Sequence, residues 1–462
     1  MKLNRIMVAA PGSGSGKTTI TCALLMVLKN RGEQVVSYKC GPDYIDPMFH
    51  KQVIGIPSKN LDTFFTDEDA TKELFLKNRT EKDFVVMEGV MGLFDGLGGI
   101  REEGSSYHLA KVTETPIVLV INAKGMGRTL IPMIAGFLKY DKEKLIQGVI
   151  LNKMSKSYYE IIKPLIEEEL RIRVLGYFPD EKVINLESRH LGLVMPNESE
   201  DIQKRLQVMS KRFEKTVDVE EIEHIAEQAK ELLLAQKPLN INGCSDKECS
   251  RPVIAVAKDE AFCFYYEDNL LMLQENGAKI TYFSPLHDTK LPDCCDALLI
   301  GGGYPELYAG ELSRNVNMRN AIKQAIDTGM PIVAECGGFM YLHESITDKD
   351  GISHPMVGGI PATCSYKGKL VRFGYVEIQE NKSCFLPEGQ LIKGHEFHYF
   401  DSTDNGDCCT AQKPTTGREY PCVMEGDNYW MGFPHLYYPS NPFFAESFVK
   451  KAEKYKKVKE MI

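Results

Sequence analysis

Short apolar runs rich in β-branched residues alternate with longer stretches of helical periodicity through the first half of the chain. That alternation predicts a parallel sheet with helices laid over its faces. The expected strands are Arg5 to Ala10, Gln34 to Lys39, Phe84 to Glu88, Ile117 to Asn122, Gln147 to Asn152 and Val174 to Phe178. After Pro196 the pattern changes: residues 199–236 are charged and nearly free of Gly and Pro, and read as two helices leading away from the sheet. The stretch KPLNINGCSDKECSR mixes turn formers without periodicity, so a linker is placed at 244–251, closing a first domain over 1–243. Alternation resumes at Pro252, with strands expected at Val253 to Ala257, Lys279 to Phe283, Ala297 to Ile300 and Ile332 to Glu335. A second α/β domain is expected over 252–450, richer in strand and turn from about Leu370 to His435, with a closing helix over 441–459.

Composition sharpens this picture. A chain of 462 residues exceeds what one core organises, which agrees with two domains. Hydrophobic residues at 43% and charged residues at 26% exclude disordered and fibrous classes. The net charge of −9, with no dense Lys/Arg stripe in the body of the chain, argues against nucleic acid as a partner. The basic tail KKAEKYKKVKEMI reads as a solvated helix end and not as a membrane patch. The run Ile6 to Ala10 is too short for a signal-peptide core or a membrane span, so the expected compartment is the cytoplasm. Thirteen cysteines, an odd number without a C-x-x-C pair, then read mostly as reduced, buried apolar residues.

Two segments carry chemistry. Pro11-Gly-Ser-Gly-Ser-Gly-Lys-Thr-Thr19 follows a strand and opens a helix, the context of a loop whose backbone N–H groups cradle phosphate. In that reading Gly12, Ser13, Gly14, Ser15, Gly16 and Thr19 form the cradle, Lys17 adds a positive charge and Thr18 offers a hydroxyl to Mg²⁺. The first glycine of the usual pattern is replaced by Pro11. Carboxylates at neighbouring strand ends complete such a site: Asp43 and Asp46 in CGPDYIDP, Glu88 and Asp95 in MEGVMGLFDG. Asn152, also at a strand end, either contacts a nucleotide base or caps a turn. In the second half, AECGGFMYL sets Cys336 between a strand pattern and a helix pattern, as in a nucleophile elbow, and the helix start is expected to lower the thiol pKa. The strand end IGGGYPE supplies glycines suited to an oxyanion hole. The base is His435, His395 or His398, and spacing does not choose among them.

Taken in order, AxxSGSGKTT, CGPDYIDP, MEGVMGLFDG, IGGGYPE, AECGGFMYL, GHEFHY and PHLYYPSNP resemble the cobyrinate a,c-diamide synthases, a family of corrinoid glutamine amidotransferases, from about residue 4 to residue 450. The hydrogenobyrinate and nickel-sirohydrochlorin a,c-diamide synthases and cobyric acid synthase are close to the same pattern. The resemblance implies an N-terminal P-loop domain similar to dethiobiotin synthetase and a C-terminal domain similar to class I glutamine amidotransferases. It further implies ATP-dependent amidation of the a and c acetates of a tetrapyrrole, through an acyl phosphate and with glutamine as nitrogen source, so that the expected partners are the small molecules tetrapyrrole, glutamine and ATP. Carried over by motif, Cys336 is the nucleophile and His435 its base, with Gly302, Gly303 and Gly337 around the oxyanion. ATP falls to residues 12–19 and Asn152, Mg²⁺ to Thr18, Asp43 and Glu88, and the substrate and acidic cluster to Asp43, Tyr44, Asp46 and Asp95. Related triads place a glutamate two residues beyond the base, where this chain has Tyr437. A partitioning-type ATPase uses a similar loop, but with a second lysine near its start that Pro11 to Ser15 do not supply.

Overall fold

A computed structural model describes residues 1–181, 199–233 and 251–461; most of the expected linker, 244–250, and residues 234–236 of the expected helical stretch lie outside the described residues. The chain divides into two compact units, Met1–Lys237 and Pro238–Ile462.

The first unit is built on seven strands: β1 (Asn4–Ala9), β2 (Gln34–Cys40), β3 (Ser58–Leu61), β4 (Asp83–Glu88), β5 (Ile117–Asn122), β6 (Ile146–Asn152) and β7 (Arg173–Phe178). Every pairing is parallel, in the order β3-β2-β4-β1-β5-β6-β7. The continuous apolar character of β1, β4 and β5 follows from burial on both faces. The polar edge strand β3, SKNL, lacks the β-branched pattern that marks the others. Because β4 lies between β1 and β2, the loops after these three strands share one edge of the sheet, where an open parallel sheet binds ligands.

The helices Ser199–Thr216 and Val219–Glu227 do not lead away from the sheet. Leu206, Met209, Phe213, Ile222 and Ile225 spaced at helical intervals pack into the same core as β1. Asp218 N–H donates to Leu175 O on β7 at 2.7 Å, which fixes the turn between the two helices against the sheet. Arg5 of β1, fully buried, ties down the end of this segment. Its guanidinium donates to Lys230 O at 2.6 Å, Thr113 O at 2.9 Å and Leu3 O at 2.9 Å.

In the second unit a six-stranded sheet runs Lys279–Phe283, Val253–Ala257, Ala297–Ile300, Ile332–Glu335, Tyr429–Gly432, Met424–Gly426, parallel except for the last. The strand-rich stretch forms a separate antiparallel sheet, Glu419–Cys422, Cys409–Gln412, Arg372–Glu380, Leu391–His398, His435–Leu436. The closing helix spans Phe443–Met461. Among the described residues no helix is long and apolar enough to cross a membrane.

Replacing the fully buried Arg5 with Met removes its hydrogen bonds to the Leu3, Thr113, Glu114 and Lys230 carbonyls, so Arg5→Met is expected to destabilise the chain by about 2 to 3 kcal/mol, read by calorimetry or as a lower urea midpoint.

Candidate functional site

The phosphate loop joins β1 to α1 (Lys17–Asn30). Gly14 and Gly16 take φ of 74° and 95°, left-handed values that a side chain disfavours. Gly16 has a second constraint, since a Cβ there would overlap the Asn152 amide, whose Nδ2 donates to Ser15 O at 2.8 Å. Asn152 therefore fastens the loop from its neighbouring strand end. Ser13 and Gly14 form the exposed crown. Lys17 is buried, donates from Nζ to Gly12 O at 3.2 Å and Met91 O at 2.5 Å, and is lowered to about 8 by burial and then by the charge of Lys39.

Lys39 is the residue that the sequence reading passed over. It stands directly opposite Glu88 in the β2–β4 register, buried, with Nζ donating to Glu88 Oε1 at 2.9 Å and to Asp46 Oδ2. Asp43 Oδ2 lies 4.0 Å from the same nitrogen. Burial opposes the ammonium, but Glu88, Asp46 and Asp43 outweigh it and hold it charged. Burial pushes Asp46 up and Lys39 more than reverses this, leaving it at about 2. Asp43, half-buried at the rim with Oδ1 accepting from Ile45 N–H at 2.8 Å, is raised to about 6 by burial and by Asp46. Glu88 is fully buried and is likewise raised, first by burial and then by Asp46. Its Oε1 also accepts from Thr18 Oγ1 at 2.7 Å, which joins the strand end to the first turn of α1. On its other side His50 Nε2 lies 3.5 Å from Oε2, and burial lowers His50 to about 4.

The structure thus gathers Thr18, Asp43, Asp46 and Glu88 around one lysine. Asp95 stands apart on the same loop as Glu88, its Oδ2 accepting from Gly92 N–H at 3.0 Å, and Tyr44 is buried beside Asp43. The signal for Lys39 was present as the one charge inside the otherwise uncharged strand QVVSYKC.

In the second unit Cys336 holds φ 47° and ψ −102° between the strand Ile332–Glu335 and the helix Gly337–Leu342. This strained turn is what an elbow requires to present a side chain at a strand end. Cys336 N–H donates to Gly432 O at 2.8 Å, so the cysteine sits beside the strand that leads through Phe433 and Pro434 to His435. A Cβ on Gly302 would collide with the His435 imidazole, and one on Gly337 would approach Gly303 N within 3.2 Å. The glycine strand end is therefore pressed against both the elbow and the imidazole. The thiol differs from expectation: the six-residue helix Gly337–Leu342 does not offset burial, which, with Glu306, pushes Cys336 well up. Burial also lowers His435 to about 3.

The three candidate histidines separate by their contacts. His398 Nδ1 donates to Phe400 O at 2.6 Å and its ring stacks on Phe433 at 4.0 Å. His395 pairs with His435 in the antiparallel register, stacks on it with centroids 4.8 Å apart, and shares a 3.1 Å hydrogen bond at Nδ1 with Tyr266 OH. Tyr437 points to Asp268, donating to Oδ2 at 3.2 Å, and packs edge-on against Tyr266 at 5.2 Å. His435 is thus stacked on a second imidazole, which Tyr266 in turn holds, while the side chain at position 437 turns to Asp268.

Two family models match the chain: a CobQ/CobB/MinD/ParA nucleotide binding domain over residues 6–194 and a CobB/CobQ-like glutamine amidotransferase domain over residues 253–440. The chain is 38% identical to a cobyrinate a,c-diamide synthase of Dehalococcoides mccartyi, over 97% of this chain and 98% of the relative. It is 39% identical to one of Caldanaerobacter subterraneus over 93% and 94%, and 41% identical to one of Clostridium tetani over 86% and 87%.

Two outcomes are expected from these geometries. Lys39→Met strands buried carboxylates without their cation and is expected to cost about 3 to 5 kcal/mol, seen as a lower urea midpoint. His50 and His343 are both lowered from 6.5 to about 4 by burial, so the folded state resists protons that the unfolded chain takes up. The stability they contribute is present above pH 6.5 and is lost as the pH falls through 4, which midpoints measured across that window will show.

Proposed function

We propose, from the premise that the chain belongs to the cobyrinate a,c-diamide synthase family of glutamine-dependent carbon–nitrogen ligases, that it amidates the a and c acetate carboxylates of cobyrinate with ATP and glutamine. The observation that carries the reading is the strained Cys336 turn beside the strand that delivers His435, on the same chain as a phosphate loop.

In the first unit a substrate carboxylate oxygen attacks the γ-phosphorus of ATP and ADP leaves, giving an acyl phosphate. Ammonia then attacks the acyl carbon and phosphate departs. Lys17 is well placed to neutralise charge on the transferring group, because hydrogen bonds to Gly12 O and Met91 O hold its amino group at the loop. Among the described residues no three His, Cys, Asp or Glu side chains are placed to hold a metal by themselves. The Thr18 hydroxyl and the Glu88 carboxylate, whose Oε2 accepts no hydrogen bond among the described residues, offer the hard oxygens that Mg²⁺ takes together with nucleotide phosphates and water. Asp43, raised and at the rim, is the third such group. Bound there, Mg²⁺ would neutralise phosphate charge. Lys39 holds Asp46 and Glu88 in place without a metal.

In the second unit the Cys336 sulfur attacks the carboxamide carbon of glutamine, backbone N–H groups of Gly303 and Gly337 receive the oxyanion, and His435 carries the thiol proton to the departing ammonia. Water then cleaves the thioester to glutamate. With the thiol held up and the imidazole held down, the resting pair is neutral. Proton transfer therefore belongs to the step in which glutamine arrives.

Cys336→Ala is expected to lower glutamine-dependent amidation by about a thousandfold or more while ammonia-dependent amidation survives, and Lys17→Ala to abolish both. Product mass with ATP, Mg²⁺, cobyrinate and either nitrogen donor checks this. Full glutamine use by Cys336→Ala would sink the reading, and amides formed only on nickel-sirohydrochlorin or hydrogenobyrinate would move it to that substrate.

A further inference from the structure

Beside the loop that carries Glu88 and Asp95, the first unit has a cleft of about 450 Å³ whose chemistry differs from that of the phosphate site. Phe94, Met133, Phe137 and Tyr140 line it, with Ile100 and Arg101 on the facing loop. The aromatic wall is ordered: Phe94 stacks on Phe137 at 5.8 Å and meets Tyr140 edge-on at 4.7 Å. Yet Tyr140 is 62% exposed and Ile100 83% exposed, much apolar surface for a position next to a polar site. Gly136 leaves the floor of the groove without a side chain. Of the two charges on the facing loop, Glu102 lies 3.8 Å from Lys111, whereas Arg101 has no ion pair or side-chain hydrogen bond among the described residues.

We propose that this cleft seats one apolar face of the tetrapyrrole and that Arg101 pairs with a peripheral carboxylate of the same ring while another carboxylate is activated. The proposal rests on the amide-ligase reading above. Three features lead to it. The cleft adjoins the loop of the activation site, since Phe94 and Asp95 both line the groove, Asp95 accepts from Gly92 N–H, and the neighbouring Met91 O accepts from Lys17. A ring that carries both acetates is an anion, and an unpaired guanidinium is the complementary group for a carboxylate. Two acetates of one ring must be presented in turn to one phosphate site, which requires the ring to be re-seated between amidations. An aromatic wall with a single unpaired cation accepts the ring in two orientations, where a cradle of directed hydrogen bonds would accept one.

The test uses the full-length chain with Arg101→Gln, Arg101→Lys and Ile100→Glu, positions exposed enough for the variants to fold. Amidation is followed with cobyrinate, ATP, Mg²⁺ and ammonia, so that glutamine cleavage does not enter. The KM for cobyrinate is expected to rise about tenfold in Arg101→Gln and Ile100→Glu, and less in Arg101→Lys, while the KM for ATP changes little. An absorbance titration with cobyrinate is expected to show the same loss of affinity without turnover. If the wild-type chain binds and amidates cobyrinate and both Arg101→Gln and Ile100→Glu do so with an unchanged KM, the cleft assignment is overturned alone. If the wild-type chain neither binds nor amidates cobyrinate, the substrate reading falls and the cleft assignment with it.

Discussion

One buried cation organises the nucleotide-binding half. Lys39 sits where water cannot screen it, and its charge is tolerable only because Glu88 and Asp46 touch it from two sides. The reverse holds for Asp46, which the lysine keeps ionised against burial, whereas Glu88 stays raised by burial and by Asp46 even with the lysine beside it. Around this trio the rest falls into place: Glu88 receives the Thr18 hydroxyl, Thr18 begins α1, and the phosphate loop is held between α1 and Asn152. The site is thus pre-organised by an internal ion cluster before any nucleotide arrives.

The glutamine-cleaving half uses the opposite strategy. Cys336 and His435, the nucleophile and base proposed for it, are both buried and both shifted toward their neutral forms. A thiol next to an imidazole often exists as an ion pair ready to react. Here burial makes that pair costly, and the stacked His395 ring offers His435 a neighbour that is itself lowered by burial. The proposed pair therefore rests in its neutral form.

What could be read in advance was whatever depends on near neighbours in the chain. The strands Ile117–Asn122, Val253–Ala257 and Ile332–Glu335 have the bounds that apolar runs predicted, because a buried parallel strand needs little more than such a run. The loop GSGSGKTT and the turn at Cys336 carry their geometry in local glycines. What escaped depends on pairings between distant segments. Lys39 gains its meaning only once β2 lies beside β4 and brings it opposite Glu88, a register that no spacing along the chain reveals. The same is true of His395 opposite His435. The helices from Ser199 were legible as helices, but their amphipathic face pointed to a partner that only the assembled sheet could name. The thiol at Cys336 was misjudged because a helix start is visible in sequence and the depth of burial is not.

The guanidinium of Arg5 bears on where the first domain ends. It reaches from the first strand to Lys230, past two helices that cover the core next to β1 and α1. A fragment cut at the close of β7 would retain the phosphate loop and the Lys39 cluster and still expose the apolar surface that Phe213 and Ile222 cover, with Arg5 deprived of its Lys230 partner. The functional half and the foldable half of this unit are therefore different lengths of chain, and division into separately expressed parts must respect the second.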